Sequence, residues 1–68
     1  MTKEITVMPL MRTEEVAEIL SISKATLEAW RFRGTGPDYV KAGKAVRYRY
    51  EDVKKFEREN TVVTSRKA

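Results

Sequence analysis

A hard stop in the middle of the chain limits what it can fold into. Gly34-x-Gly36-Pro37 places two glycines and a proline within four residues, directly after a stretch of helical character. Glycine adopts the left-handed conformation that closes a helix, and proline cannot extend one. Any helix before the stop must therefore end at Gly34, and the chain beyond Pro37 must start a new element. Tyr39-Val40-Lys41 and Ala45 to Arg49 then read as two strands around Ala42-Gly43-Lys44. A helix, a stop and a two-stranded ribbon lie within about two dozen residues, from Ser23 to Tyr48.

Two helices precede the stop. Thr13 is an N-cap candidate, with Glu14 and Glu15 placed to complement the positive end of a helix. Val16, Ala17, Ile19 and Leu20 recur at helical spacing, which predicts helix one over 14–20. Ser21-Ile22-Ser23 breaks it, and Ile22 reads as a buried turn residue. Ser23 is a second cap, opening a helix from Lys24 to Arg33. Leu27 and Trp30 form its buried stripe. Ala25, Glu28, Ala29 and Phe32 fall on the opposite face, flanked by Lys24 and Arg31. A third helix is predicted from Glu51 to about Glu59, with Val53 and Phe56 turned inward. Residues 1–9 read as an arm with an extended stretch at Ile5-Thr6-Val7, and residues 60–68 as a flexible tail. The expected fold is small α+β: two helices, a two-stranded wing and a C-terminal third helix, in one domain over 10–59.

Composition removes many functions. The chain has 68 residues, of which 41% are hydrophobic, with no cysteine and no histidine. A chain of this size buries only about 60% of the surface it exposes when unfolded, so its core must be thin. Disulfides, Cys/His zinc sites and histidine-based triads are ruled out. No phosphate loop is present, and no cofactor, metal or enzymatic activity is expected. The apolar runs are too short to span a membrane, and Met1-Thr2-Lys3-Glu4 lacks a signal peptide's apolar core. The expected location is the cytoplasm.

Charge is unevenly placed. The formal net charge is +4. Residues 1–23 hold two bases against four acids, residues 24–49 seven against two, and residues 50–68 five against four. The positive charge thus gathers on the second helix and the ribbon, a footprint suited to phosphate. Two short helices joined by a three-residue turn, with the small Ala17 at their crossing, match the helix-turn-helix arrangement, whose second helix enters the DNA major groove. The ribbon beside it reads as a wing along the backbone or minor groove.

The string Thr13-x-Glu15-Val16-Ala17-x-x-Leu20-x-Ile22-Ser23-x-x-Thr26-Leu27-x-x-Trp30-Arg31-x-x-Gly34-x-Gly36-Pro37 resembles the excisionase family of small winged-helix proteins. So does Tyr39-Val40-Lys41-x-Gly43-x-x-Val46-Arg47-Tyr48-x-x-x-Asp52-Val53-x-x-Phe56. AlpA-like regulators and the DNA-binding heads of mercury-resistance regulators are related. The resemblance implies a protein that binds double-stranded DNA beside an attachment site in a bacterial host. It would self-associate along that DNA, bend it, and direct a tyrosine-type integrase toward excision. It implies that Thr26 and its neighbours Lys24 and Ala25 approach the major groove. It also implies that Arg31 reaches a phosphate, that Lys41, Lys44 and Arg47 clamp the backbone, and that Gly43 shapes the wing tip. Tyr48 would be partly structural.

The remaining residues divide by chemistry. The Ser23 hydroxyl or the first-turn amides could meet a phosphate. Glu28 either pairs with Arg31, the favoured reading, or accepts from a cytosine amino group. Phe32 departs from the family pattern and is assigned to a thymine methyl or a neighbouring protomer. Arg33 and Arg49 are equally readable as solvated charges or contacts. Lys54, Lys55 and Arg58 are assigned to the outer face of the third helix. Val62-Val63 would serve integrase or self-association. Two other functions fit less of the chain: an AlpA-like transcriptional regulator, and a protein-interaction adaptor built on the basic face, Phe32 and the tail.

Overall fold

The structure, a computed structural model, describes residues 9–64. Six elements occur in chain order: β1 (Met11–Arg12), α1 (Thr13–Leu20), α2 (Lys24–Arg33), β2 (Val40–Ala42), β3 (Ala45–Tyr48) and α3 (Tyr50–Glu59). The sheet has three antiparallel strands in the order β1-β3-β2, where the sequence predicts a two-stranded ribbon. A two-residue strand has no alternation to betray it. β1 exists because Met11 and Arg12 find Tyr48 and Arg47 as partners.

That strand also corrects the start of α1. The N-cap is Arg12 and not Thr13, which is the first helical residue and is buried. Glu15 accepts a hydrogen bond from the Arg12 backbone N–H at 2.7 Å, so a carboxylate one turn into the helix satisfies a donor at its entrance. Between α1 and α2 the turn is three residues long, as predicted. Ser21 sits in the left-handed region (φ 58°), and its N–H reaches Glu18 O at 3.1 Å. Ile22 N–H closes the helix end on Ala17 O at 2.9 Å. Ile22 itself packs half-buried against the core.

The core is small. Val16 and Ala17 of α1, Leu27 of α2, Tyr48 of β3 and Val53 of α3 are buried together. Met11, Leu20, Ile22, Trp30 and Val46 pack around them. Each fully buried aliphatic side chain contributes about 2 kcal/mol relative to exposure. Trp30 and Phe56 depart from expectation, since both are half-buried. Their rings meet at 5.5 Å and 48° on the edge of the core. Three short helices cannot enclose two large rings, so the pair stacks and keeps one side in solvent.

The stop behaves as its chemistry requires. Gly34 closes α2 at φ 77° and Gly36 comes two residues later at φ 85°. A Cβ on Gly36 would lie 3.0 Å from Trp30 Cε3 and 3.1 Å from Trp30 Cβ. Gly36 is therefore needed twice, for its φ and for its closeness to the indole. Pro37 is buried beside it.

The hairpin and α3 arise within a residue or two of their predicted limits. α3 begins at Tyr50, capped by Arg49. Asn60 Nδ2 donates to Phe56 O at 2.8 Å and Thr61 Oγ1 to Glu57 O at 2.7 Å, closing the far end. Residues 61–64 have no regular secondary structure. The extended stretch expected at Ile5-Thr6-Val7, most of the arm and the end of the tail lie outside the described residues.

Candidate nucleic-acid interface

α2 is the second helix of the helix-turn-helix, and its start is held by hydroxyls. Ser23 Oγ accepts from the Thr26 N–H at 3.0 Å and lies 2.9 Å from Thr26 Oγ1. Both side chains are committed to each other, so a phosphate here would meet the open first-turn amides of Lys24 and Ala25. Ala25 and Glu28 are exposed on the outer face, and Ala29 is partly covered. Phe32 ends that face at 92% exposure. No neighbouring side chain explains it in the free protein.

Glu28 does not pair with Arg31. Its partner is Lys24 at 3.9 Å, one turn back, and Lys24 also meets Glu14 of α1 at 3.2 Å. Lys24 thus sits between two carboxylates rather than standing free. All three side chains are about half exposed, so these contacts are weak and salt-sensitive. A backbone hydrogen bond at the helix start, and then the Lys24 ammonium, hold the Glu14 carboxyl below its ordinary 4.5.

Arg31 departs furthest from expectation. The sequence places it on the flank of the exposed face, reaching for phosphate. In the structure its Nη1 donates to Tyr48 Oη at 3.0 Å and to Thr13 Oγ1 at 3.3 Å. Its Cζ lies 5.7 Å from the Tyr39 ring centroid, and Tyr39 and Tyr48 meet at 6.0 Å. One guanidinium therefore ties α2 to the first residue of α1 and to β3. The reason is geometric: Arg31 comes next after Trp30, and the helical step of roughly 100° per residue turns it toward the sheet.

The wing also divides. Antiparallel register puts Lys41 opposite Val46 and Arg47 opposite Val40. Directly opposed residues share a face, so Lys41 and Arg47 lie on opposite faces of the ribbon. The three-residue clamp of Lys41, Lys44 and Arg47 is thus split by the pleat. Gly43 turns the hairpin at φ 63° with open space around it, and Lys44 stands next to it at the tip. Arg47 Nη1 folds back onto Val46 O at 2.8 Å. Tyr48 is 1% exposed, wholly a core residue.

An open cleft of about 270 Å³ separates α2 from the wing. Arg12, Lys24, Arg31, Lys44 and Arg47 bring five cations to its lining, and Glu14 and Glu28 bring two carboxylates. Lys41 is not part of it. Arg12 is the residue that sequence reasoning passed over, because its place depends on β1 pairing with β3. Among the described residues, no group of histidine, cysteine, aspartate or glutamate is arranged to hold a metal. No described helix is long and apolar enough to cross a membrane.

A helix presenting small residues, a basic cleft and a wing are together the geometry of a domain that reads duplex DNA. No match was found among curated proteins. The helix-turn-helix domain model matches residues 10–61, most of the chain and every element described. That family includes excisionase and AlpA-like proteins. This protein belongs to the helix-turn-helix domain family and is a winged, sequence-specific DNA-binding domain.

Proposed function

We propose that the protein is an excisionase-type architectural factor. It binds repeated sites beside an attachment sequence of a mobile element, bends the DNA, and assembles with further copies and a tyrosine-type integrase to favour excision. It performs no chemistry on its substrate. The observation that carries this reading is the cleft between α2 and the wing, where five cations face two carboxylates. A cleft of that sign beside a recognition helix is suited to gripping backbone while the helix enters the groove. A domain this small has few contacts to offer. Affinity then comes from phosphate charge and from neighbours bound in a row, which is how an architectural factor works.

Footprinting on the element's own attachment region tests the proposal. Expected are adjacent protected sites filled cooperatively, with affinity falling steeply as salt rises. A single isolated site at a promoter, with excision unaffected by deleting the gene, would favour an AlpA-like regulator instead. The adaptor reading draws on Phe32 and on Val62, which is 80% exposed. Lys44→Ala with Arg47→Ala separates it from DNA binding: loss of duplex affinity with the fold intact argues against an adaptor. Truncation after Asn60 addresses the tail, and unchanged cooperative assembly would remove it from self-association and integrase contact.

A further inference from the structure

We propose that Arg12 and Arg47 form a two-arginine clamp for one backbone phosphate, making Arg12 a DNA-contact residue on a strand outside the helix-turn-helix and the wing hairpin. Their pairing in the sheet is the starting observation. Arg12 lies directly opposite Arg47 in the β1–β3 ladder. Directly opposed residues project from one face with Cβ atoms about 5 Å apart, and like charges so placed destabilise a sheet. Both residues line the cleft.

The acids of the cleft compensate them only in part. Neither arginine forms an ion pair among the described residues, whereas both carboxylates of the cleft are taken by Lys24. Glu14 is held low chiefly by its backbone hydrogen bond and by Lys24, with Arg12 the least of the causes. Arg47 has one nitrogen turned back on Val46 O, which leaves the rest of its fork open. Arg31, which also lines the cleft, spends its hydrogen bonds on neutral hydroxyls and adds to the positive charge there.

The free fold therefore carries a repulsion at a position where a neutral residue would serve the strand as well. An anion between the two guanidinium groups would relieve it. A phosphate diester offers two oxygens, one for each fork, and this geometry suits arginine better than lysine. The backbone N–H of Arg12 donates to Glu15, and none of the hydrogen bonds or ion pairs among the described residues engages its guanidinium.

The inference rests on the DNA-binding reading, and its test separates the two. Arg12→Gln and Arg12→Lys are compared with the unaltered protein in two measurements. The first is fluorescence anisotropy on a short mixed-sequence duplex across a salt series. The second is thermal melting in chloride and in sulfate at matched ionic strength. For Arg12→Gln, duplex affinity at low salt should fall about tenfold, and the salt slope should become shallower by about 0.9. Its Tm in low-salt chloride should rise by about 2 °C, because the repulsion is gone. Sulfate should stabilise the unaltered protein more than this variant, and Arg12→Lys, which keeps the charge but loses the fork, should keep the salt slope and only part of the affinity.

A shallower slope with Tm not lowered supports the clamp. Unaltered affinity and slope in Arg12→Gln overturn it while leaving DNA binding intact. A lowered Tm together with weaker binding makes Arg12 a structural residue and also overturns it. If the unaltered protein binds no duplex at any salt, the DNA reading fails and the clamp with it.

Discussion

Two arginine environments border the same cleft in this molecule, and they do opposite things. At the junction of α2 with the sheet, Arg31 meets two hydroxyls and a tyrosine ring and is partly buried. In the cleft, Arg12 and Arg47 stand opposite each other in a strand pair, and neither forms an ion pair among the described residues. Arg31 resembles a rivet: its donors are spent holding the recognition helix at an angle to the wing. Arg12 and Arg47, on the proposed clamp, would hold a phosphate. Residue type does not distinguish them. Partners do, since a satisfied guanidinium stabilises the fold while two opposed, unpaired ones strain it.

The contrast can be broken by substitutions at each side. Tyr48→Ala removes the side chain that both packs the core and accepts from Arg31. A loss of about 4 kcal/mol is expected, enough to unfold a domain this small. Urea unfolding reads it, and a folded variant would mean that the junction is not central. Gly36→Ala meets Trp30 and an unfavourable φ together, for about 3 kcal/mol. Gly34→Ala, with open space around it, should cost only the backbone part. Equal costs at the two glycines would show that the indole contact is unimportant.

Arg31→Met should lower stability by about 2 kcal/mol, because a charged donor to two hydroxyls is lost. Any loss of DNA affinity should track the loss of folded protein when binding is measured against temperature. If Arg31→Met melts normally and still loses affinity, Arg31 belongs with the cleft and the rivet reading fails. Lys44→Gln at the wing tip should leave Tm unchanged and make the salt slope shallower by about 0.9.

The smallest effect concerns acid. Glu14 has its folded pKa depressed below 4.5. Its contribution to stability is therefore present above about pH 4.5 and is lost as pH falls through the depressed value. Glu14 is exposed, so Glu14→Gln should flatten the acid limb of a Tm–pH curve only slightly. A variant that instead lost stability at neutral pH would point to a larger role for the Glu14–Lys24 pair.

Much of the fold was legible because short-range chemistry is strong here. Ser23 caps α2, Gly34 closes it, and Gly43 turns the hairpin, each through its own backbone preference. Leu27 and Val53 were readable as core from helical spacing alone. Trp30 and Phe56 were not placed correctly, because periodicity reports which way a side chain points and not whether enough chain exists to cover it. The site was less legible. Lys44, Arg47 and the start of α2 come together as expected. Lys41 does not, since the pleat turns it away, and Lys24 is met by two acids from different helices. Glu28 chose Lys24 over Arg31 because Arg31 was already engaged.

By itself the sequence determined the order of elements, the helix stop, the turn positions and the gathering of positive charge between Lys24 and Arg49. Local rules suffice for these, because each depends on residues within one or two turns of each other. Tertiary structure decided which arginine ties the helix to the sheet and which two stand unpaired at the cleft. It also created β1, a strand of two residues that no periodicity announces. Both outcomes depend on contacts between residues far apart in the chain: Arg31 with Thr13 and Tyr48, and Arg12 with Arg47. A basic side chain carries the same charge wherever it stands, and only the packed fold settles whether a hydroxyl, an acid or open solvent stands beside it.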